Sequence, residues 1–212
     1  MFKKYQPKNA QNPAFTNCLR DDDGKPLMVF RGQHGQTDRL QTRSTSLTFC
    51  GSADTANLYA EQPNNRREVA QAPHLIPAFL EIQNPVFVER DSPFVEMGQI
   101  QETLGRFAAE YFAFKHEQHI VCTQYWQDCL YGEFANIRDM LKREPALLET
   151  LYMNAYPLLD DPEFVDMARS LGFDGAIHVG NGASFGDLEY RIFDASQAIS
   201  AITAERLSVE VV

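Results

Sequence analysis

The sequence is poor in several features that would assign it to particular classes of protein. It has only four cysteines in 212 residues, and they are dispersed without a Cys-x-x-Cys pair. This excludes a disulfide framework as the main source of stability and favours a reducing compartment at the site of action. No apolar run approaches the ~18 residues that cross a membrane, and none follows the basic start. The protein is therefore expected to be soluble, without a Sec-type signal or a transmembrane segment.

Positive charge is scarce as well. The chain carries 19 Lys and Arg against 29 Asp and Glu, which gives a net charge of -10. Such an acidic protein repels nucleic acid and anionic membranes, and no local basic patch offsets the repulsion, so neither is expected as a partner. Hydrophobic residues, in contrast, make up 44% of the chain. That content and the length predict one domain over residues 1–212 with a substantial core.

Strand patterns occupy both ends of the chain, and helical periodicity fills the middle. The predicted strands are residues 26–32, 43–49, 75–82, 86–88, 176–179, 188–193 and 198–202, with helices at 52–61 and 163–171. Between about residues 92 and 158, apolar residues recur at helical spacing, which predicts three inserted helices. The pattern predicts an α+β fold in which strands 27–32, 44–49 and 188–193 converge on a cleft.

Two carboxylates stand where a glycine-rich loop, residues 180–186, meets a strand. They are Asp187 and Glu189, two positions apart. Residues two apart in a strand project to the same side, so both are expected to face the cleft. A loop beside a rigid strand is a common place for reactive side chains. The alternative is an ordinary hairpin entry with solvated acids.

Five separated pieces of the chain occur in an order that resembles a known family. They are Val29-Phe30-Arg31-Gly32, the Ser44-Thr45-Ser46 strand with its alanine-tyrosine helix to residue 60, segment 172–177, the Asp187-x-Glu189 pair and segment 190–197. Together they resemble the mono-ADP-ribosyltransferases of the arginine-serine-glutamate class, over about residues 26–90 and 160–203. The resemblance implies an ADP-ribosyltransferase-like split β-sandwich around an NAD cleft, with a helical insertion at about residues 92–158.

The resemblance also implies a function. The expected activity is transfer of ADP-ribose from NAD to a protein side chain, as in bacterial effectors and toxins that are secreted or injected and act inside another cell. NAD would be a co-substrate, the partner would be a target protein, and no metal is expected. Two alternatives remain: a non-catalytic module of the same fold that binds ADP-ribose or a protein, and a DNA-directed ADP-ribosyltransferase, which the acidity disfavours.

Roles for single residues follow from the resemblance and from the chemistry. Glu189 would hold a ribose hydroxyl and face the positive charge of an oxocarbenium-like transition state. Arg31 would bind the phosphates of NAD. Asp187 and Phe185 would hold the acceptor, expected to be arginine, although the family has glutamate at the position of Asp187 for arginine acceptors and glutamine for others. The other candidates are Gly32 at the nicotinamide amide, Ser44 supporting the glutamate, Thr45 and Ser46 beside it, Phe49 and Tyr59 as aromatic platforms, and His34 near the nucleotide.

The remaining histidines receive simpler interpretations. His178, in the predicted strand 176–179, is interpreted as a polar residue whose hydrogen bonds are satisfied. His116, His119 and Cys122 have a spacing that would place them on one face of a helix. No fourth ligand is evident beside them, so a zinc site is not predicted.

Overall fold

The computed structural model of this chain describes residues 13–34, 39–42, 45–61 and 73–211. These residues form a mixed α+β fold, which confirms the predicted class. Its central element is a seven-stranded sheet, accompanied by two small two-stranded sheets. None of the described helices is long and apolar enough to cross a membrane.

The regular elements alternate along the chain. The strands are β1 (Met28–His34), β2 (Leu40–Thr42), β3 (Leu47–Cys50), β4 (Pro73–Leu80), β5 (Pro85–Glu89), β6 (Phe94–Glu96), β7 (Tyr152–Asn154), β8 (Gly175–Val179), β9 (Leu188–Ile192), β10 (Ala198–Ser200) and β11 (Val209–Val211). The α-helices are α1 (Ala53–Glu61), α2 (Met97–Leu104), α3 (Arg106–Lys115), α4 (Glu117–Ile120), α5 (Ile137–Arg143), α6 (Ala155–Leu159) and α7 (Pro162–Ser170). A π-helix spans Trp126–Leu130, and 3₁₀ turns span Pro13–Phe15, Pro145–Thr150, Gly182–Ser184 and Ala195–Gln197.

The large sheet has the strand order β10-β4-β1-β3-β9-β8-β5. Neighbouring strands pair antiparallel except for β5 and β8, which are parallel. The segment that connects these two contains the inserted helices of residues 92–158, here called the helical block. Strands β1, β3 and β9 lie side by side at its centre. The three strands are therefore neighbours in one sheet, and the cleft on which they were expected to converge stays a prediction.

Helix α1 covers the centre of this sheet. Ser52 begins it as an N-cap, because its Oγ accepts a hydrogen bond from the Thr55 amide at 3.2 Å. Ala56 and Ala60 face inward and are buried. A Cβ on Gly32 of β1 would lie only 1.7 Å from the carbonyl oxygen of Ala56, so the glycine lets the helix approach the strand. Its sequence-based role at the nicotinamide amide stays a prediction.

We expect Gly32→Ala to destabilise the protein by about 1–3 kcal/mol or more, because the added methyl group overlaps helix backbone that cannot move alone. Chemical denaturation followed by circular dichroism measures the change. Gly98→Ala is the comparison variant, since its Cβ would lie 3.1 Å from the nearest atom and requires only a small shift. Equal midpoints for the two variants would contradict the packing role of Gly32.

The helical block differs in detail from its prediction. Three helices were expected, but the region holds short helices, a π-helix and a two-stranded β6–β7 ladder. One cause is Gly105, whose φ of 89° ends α2 and redirects the chain into α3. The block is not separate from the sheet, because one hydrophobic cluster joins its residues to Val86, Phe87, Ala176 and Phe193.

Candidate functional site

The candidate site is built around the carboxylate of Glu189, on the central strand β9. The residue is only 4% exposed. Its Oε1 accepts hydrogen bonds from the hydroxyl of Tyr59 at 3.0 Å and from that of Ser184 at 2.5 Å. Its Oε2 faces Nη2 of Arg191 at 3.8 Å and Nε2 of His178 at 3.6 Å. Both carboxylate oxygens are thus contacted by polar groups of the protein.

The sheet register explains how these groups meet. In the β8–β9 hairpin His178 is the cross-strand partner of Glu189, and on the other side Cys50 of β3 is opposite it. Directly opposed residues of antiparallel strands lie on the same face. Helix α1 covers this face and contributes Tyr59, and the 3₁₀ turn Gly182–Ser184 closes the loop above it.

The surroundings keep the neighbouring donors protonated. Burial and the nearby charge of Glu189 raise the pKa of Tyr59 to about 12. Burial, with the charges of Glu189 and Asp187, raises the pKa of Cys50 to about 12, so this residue is an unreactive thiol. Burial lowers the pKa of His178, although the charge of Glu189 opposes the change. At neutral pH the carboxylate is therefore surrounded by neutral groups and one arginine.

Arg191 connects the carboxylate to the helical block. Its Nη1 donates to Oδ1 of Asp160 at 2.7 Å, directly after α6, and to Oγ of Ser46 at 3.3 Å. The Ser46 hydroxyl in turn donates to the carbonyl of Leu159 at 2.6 Å. Ser46 therefore supports Glu189 through Arg191 and does not contact it.

Arg31 lies on β1, two strands from Glu189. Its Nη1 donates to the carbonyl of Thr48 on β3 at 2.8 Å. Burial, with the positive charge of Arg191, lowers the pKa of Arg31 to about 10, so the guanidinium remains charged at pH 7. In the β1–β3 pairing Phe30 opposes Cys50, so strand alternation places Phe30 on the face of Glu189 and the adjacent Arg31 on the other. The role of Arg31 at the NAD phosphates stays a prediction.

Several residues predicted from the sequence are not part of this cluster. Phe49 is fully buried and opposes Tyr190 across the sheet, on the face opposite to that of Cys50 and Glu189. Its expected role as an aromatic platform is wrong for this structure, because alternation along β3 turns the ring into the core. Thr45 is exposed just before β3, and His34 pairs with Pro73 at the end of β1. Ser44 lies outside the described residues.

Asp187 has a different environment from the one expected. Its Oδ2 accepts from the amide of Ser52 at 2.9 Å, and its Oδ1 accepts from the amide of Leu188 at 2.9 Å. The carboxylate thus joins the start of β9 to the turn before α1, whereas it was expected to face an incoming acceptor. Phe185, two residues earlier, is 78% exposed. The acceptor roles of Asp187 and Phe185 stay predictions.

The sequence interpretation missed the closest neighbours of Glu189. They are Ser184, Arg191 and Cys50, with Asp160 bonded to Arg191, and His178 was interpreted only as a satisfied polar residue. The position of His178 could have been predicted, because two strands that flank a short loop form a hairpin. Pairing residues outward from the loop places His178 opposite Glu189. Ser184 carried no such signal, since its position depends on the fold of the loop.

The described residues contain no group of three or more His, Cys, Asp or Glu arranged to hold a metal ion. His116, one of the residues with ligand-like spacing, instead contacts Asp161 at 2.9 Å. Asp161 also accepts from Lys115 and from the amide of Glu163. This cluster therefore fastens α3 to the beginning of α7.

No protein-family model, curated protein or solved structure matches the chain. The function therefore has to be inferred from the chemistry of the site.

Proposed function

We propose that the protein is a mono-ADP-ribosyltransferase that transfers ADP-ribose from NAD to a protein side chain, with arginine as the favoured acceptor. The observation that carries this proposal is the buried carboxylate of Glu189 on β9, whose Oε1 accepts hydrogen bonds from the hydroxyls of Tyr59 and Ser184. The split β-sandwich around an NAD cleft is part of the same proposal.

The reaction needs a group that stabilises positive charge at the ribose. The bond between nicotinamide and C1 of the ribose breaks, nicotinamide leaves with the electron pair, and the ribose acquires oxocarbenium character. A carboxylate in a site of low dielectric stabilises that charge more strongly than one in water. A ribose hydroxyl would replace the hydroxyl of Tyr59 or Ser184 at Oε1 of Glu189. The acceptor nitrogen then bonds to C1 and releases a proton.

Binding of the NAD phosphates requires a cation in a fixed place. Arg31 is held by its hydrogen bond to the Thr48 carbonyl, and a guanidinium offers further donors in a fork that matches phosphate oxygens. The helical block is the part of the chain proposed to contact the target protein. It is linked to the site because Asp160, directly after α6, forms an ion pair with Arg191 of β9.

Incubation with NAD labelled in its adenylate part, in the presence of a cell lysate, tests the proposal. We expect label on one or a few lysate proteins and release of nicotinamide in the same amount. Mass spectrometry of the labelled protein identifies the residue that carries ADP-ribose. Absence of both transfer and nicotinamide release, with folded protein, would contradict the enzymatic proposal.

One observation favours a second candidate, a non-catalytic module that binds ADP-ribose or a protein. The side chain of Glu189 is only 5% exposed, and both its oxygens already contact protein groups. A carboxylate so enclosed is also what a structural role would require. Two measurements together separate the candidates. A binding module should bind ADP-ribose in calorimetry but should release no nicotinamide from NAD, whereas the transferase should release it.

We expect Asp187→Asn to abolish transfer to the target while largely sparing hydrolysis of NAD by water, because only the acceptor needs the second charge. The lost charge also weakens the hydrogen bond from Ser52, which should lower the free energy of unfolding by about 1–3 kcal/mol. Transfer, nicotinamide release and thermal unfolding measure the three quantities.

Asp91→Asn, an exposed aspartate after β5, is the matched control and should change none of them. Equal losses of transfer and hydrolysis in Asp187→Asn would show that the carboxylate acts only by holding the turn before α1. ADP-ribose on a residue other than arginine would overturn the acceptor assignment.

A further inference from the structure

His178 has an arrangement of hydrogen-bonding atoms that fixes the place of its proton. The residue is 2% exposed on β8. Its Nδ1 lies 2.9 Å from the carbonyl oxygen of Val179. A carbonyl oxygen only accepts hydrogen bonds, so Nδ1 carries the hydrogen. Nε2 then presents a lone pair to Oε2 of Glu189 at 3.6 Å, and among the described residues it has no hydrogen-bond partner.

Charged and titratable groups lie around this imidazole on the neighbouring elements. Glu189 and Arg191 lie on β9, Glu89 is its partner on β5, and Asp160 follows α6. Tyr59 on α1 bonds Glu189, and Cys50 on β3 opposes Glu189 across the strand pair. Burial lowers the pKa of His178 from its usual range, the charges of Glu189 and Asp160 oppose the shift, and the charge of Arg191 adds to it. The ring is therefore neutral at pH 7 and binds a proton on acidification.

We propose that His178 is a positioning residue that controls the availability of Glu189. With a neutral ring, two lone pairs face each other across 3.6 Å, and Oε2 stays unbonded to the imidazole. With a protonated ring, Nε2 donates to Oε2, and the resulting ion pair holds the carboxylate against β8. A carboxylate held in this way stabilises an oxocarbenium ion less well, since part of its charge is neutralised.

The consequence for activity rests on the proposed ADP-ribosyl transfer. Nicotinamide release should decline as the pH falls through the titration of His178. His178→Asn keeps a donor in the place of Nδ1 but has nothing in the place of Nε2, so its decline should move to lower pH. His178→Gln places a permanent donor toward Oε2, so its activity should be reduced at neutral pH and should change less on acidification. A purely structural role would reduce activity by one factor at every pH.

Nuclear magnetic resonance of ¹⁵N-labelled imidazoles tests the interaction between His178 and Glu189 in the absence of NAD. We expect His178 to carry its hydrogen on Nδ1 at neutral pH and to titrate at Nε2. In Glu189→Gln the titration midpoint should move to lower pH, because the negative partner is gone. An unchanged midpoint, or a hydrogen on Nε2 with a bare Nδ1, would overturn the proposal.

His119→Asn is the control variant, because His119 lies in the helical block next to Tyr156 and away from Glu189. It should leave the pH profile and the His178 resonances unchanged. If neither the wild type nor any variant releases nicotinamide, the proposed function fails, but the resonance experiment still shows whether His178 and Glu189 interact as proposed. If the profiles of wild type and His178→Asn coincide in an active enzyme, the positioning role fails alone.

Discussion

Replacement of Glu189 by glutamine is expected to lower ADP-ribosyl transfer by about 10²–10³-fold, with the fold retained. The amide has the shape of the carboxylate and keeps an oxygen to accept from Tyr59 and Ser184, which now bond Oε1. In the proposed reaction, the negative charge that would face the developing oxocarbenium ion is lost. Because this interaction is stronger in the transition state than in the ground state, the turnover number should fall much more than the affinity for NAD.

Nicotinamide release under saturating NAD measures the effect, and circular dichroism with thermal unfolding monitors the fold. Glu133→Gln, an exposed glutamate of the helical block, is the matched control and should keep wild-type nicotinamide release. Unchanged turnover in Glu189→Gln would remove the carboxylate from the mechanism. The carboxylate would then serve only as an ion-pair partner that holds Arg191 in place.

Replacement of Arg31 by alanine is expected to weaken NAD binding by about 1.5–3 kcal/mol, which corresponds to a roughly 10- to 150-fold higher Kd. The expected cause is the loss of a charge-assisted contact to phosphate. The same change leaves the carbonyl of Thr48 without the donor that now lies at 2.8 Å. Stability should therefore decrease too, and binding must be measured at a temperature where the variant is folded.

Arg31→Lys separates the two effects, because lysine keeps the positive charge but lacks the fork geometry. Its NAD affinity should lie between those of the wild type and Arg31→Ala. Isothermal titration calorimetry gives the affinities, and Arg169→Ala, an exposed arginine of α7, is the control. Equal NAD affinity in the wild type and Arg31→Ala would assign Arg31 to the support of β3 alone.

The local elements could be read from the sequence because their causes are local. Ser52 before an alanine-rich stretch predicts the start of α1, and the observed helix begins at Ala53. Short apolar runs located strands β1, β4, β8 and β9 to within a few residues. The helical block was less predictable, since a turn at Gly105 and a β6–β7 pairing interrupt an otherwise helical pattern.

The surroundings of each candidate side chain were harder to predict from the sequence than the helix or strand that carries it. Phe49 and Cys50 are neighbours in one strand, yet the Phe49 ring lies in the core and the Cys50 side chain opposes Glu189. A shift of one residue in the strand register exchanges the two, and the sequence of β3 alone does not fix that register. Asp187 likewise lies two positions from Glu189 but bonds the amide of Ser52, which only the packing of α1 brings near.

The sequence by itself determined the α+β class, the acidic character and the positions of the strands that carry Arg31 and Glu189, because propensity, periodicity and charge act over a few residues. Only the tertiary structure decided that Glu189 is buried, that His178 and Arg191 face its Oε2, and that Tyr59 and Ser184 bond its Oε1. These contacts join segments separated by as many as 130 residues along the chain. Their geometry is set by strand order and helix packing, which depend on the burial of the whole core and on no single stretch of the chain.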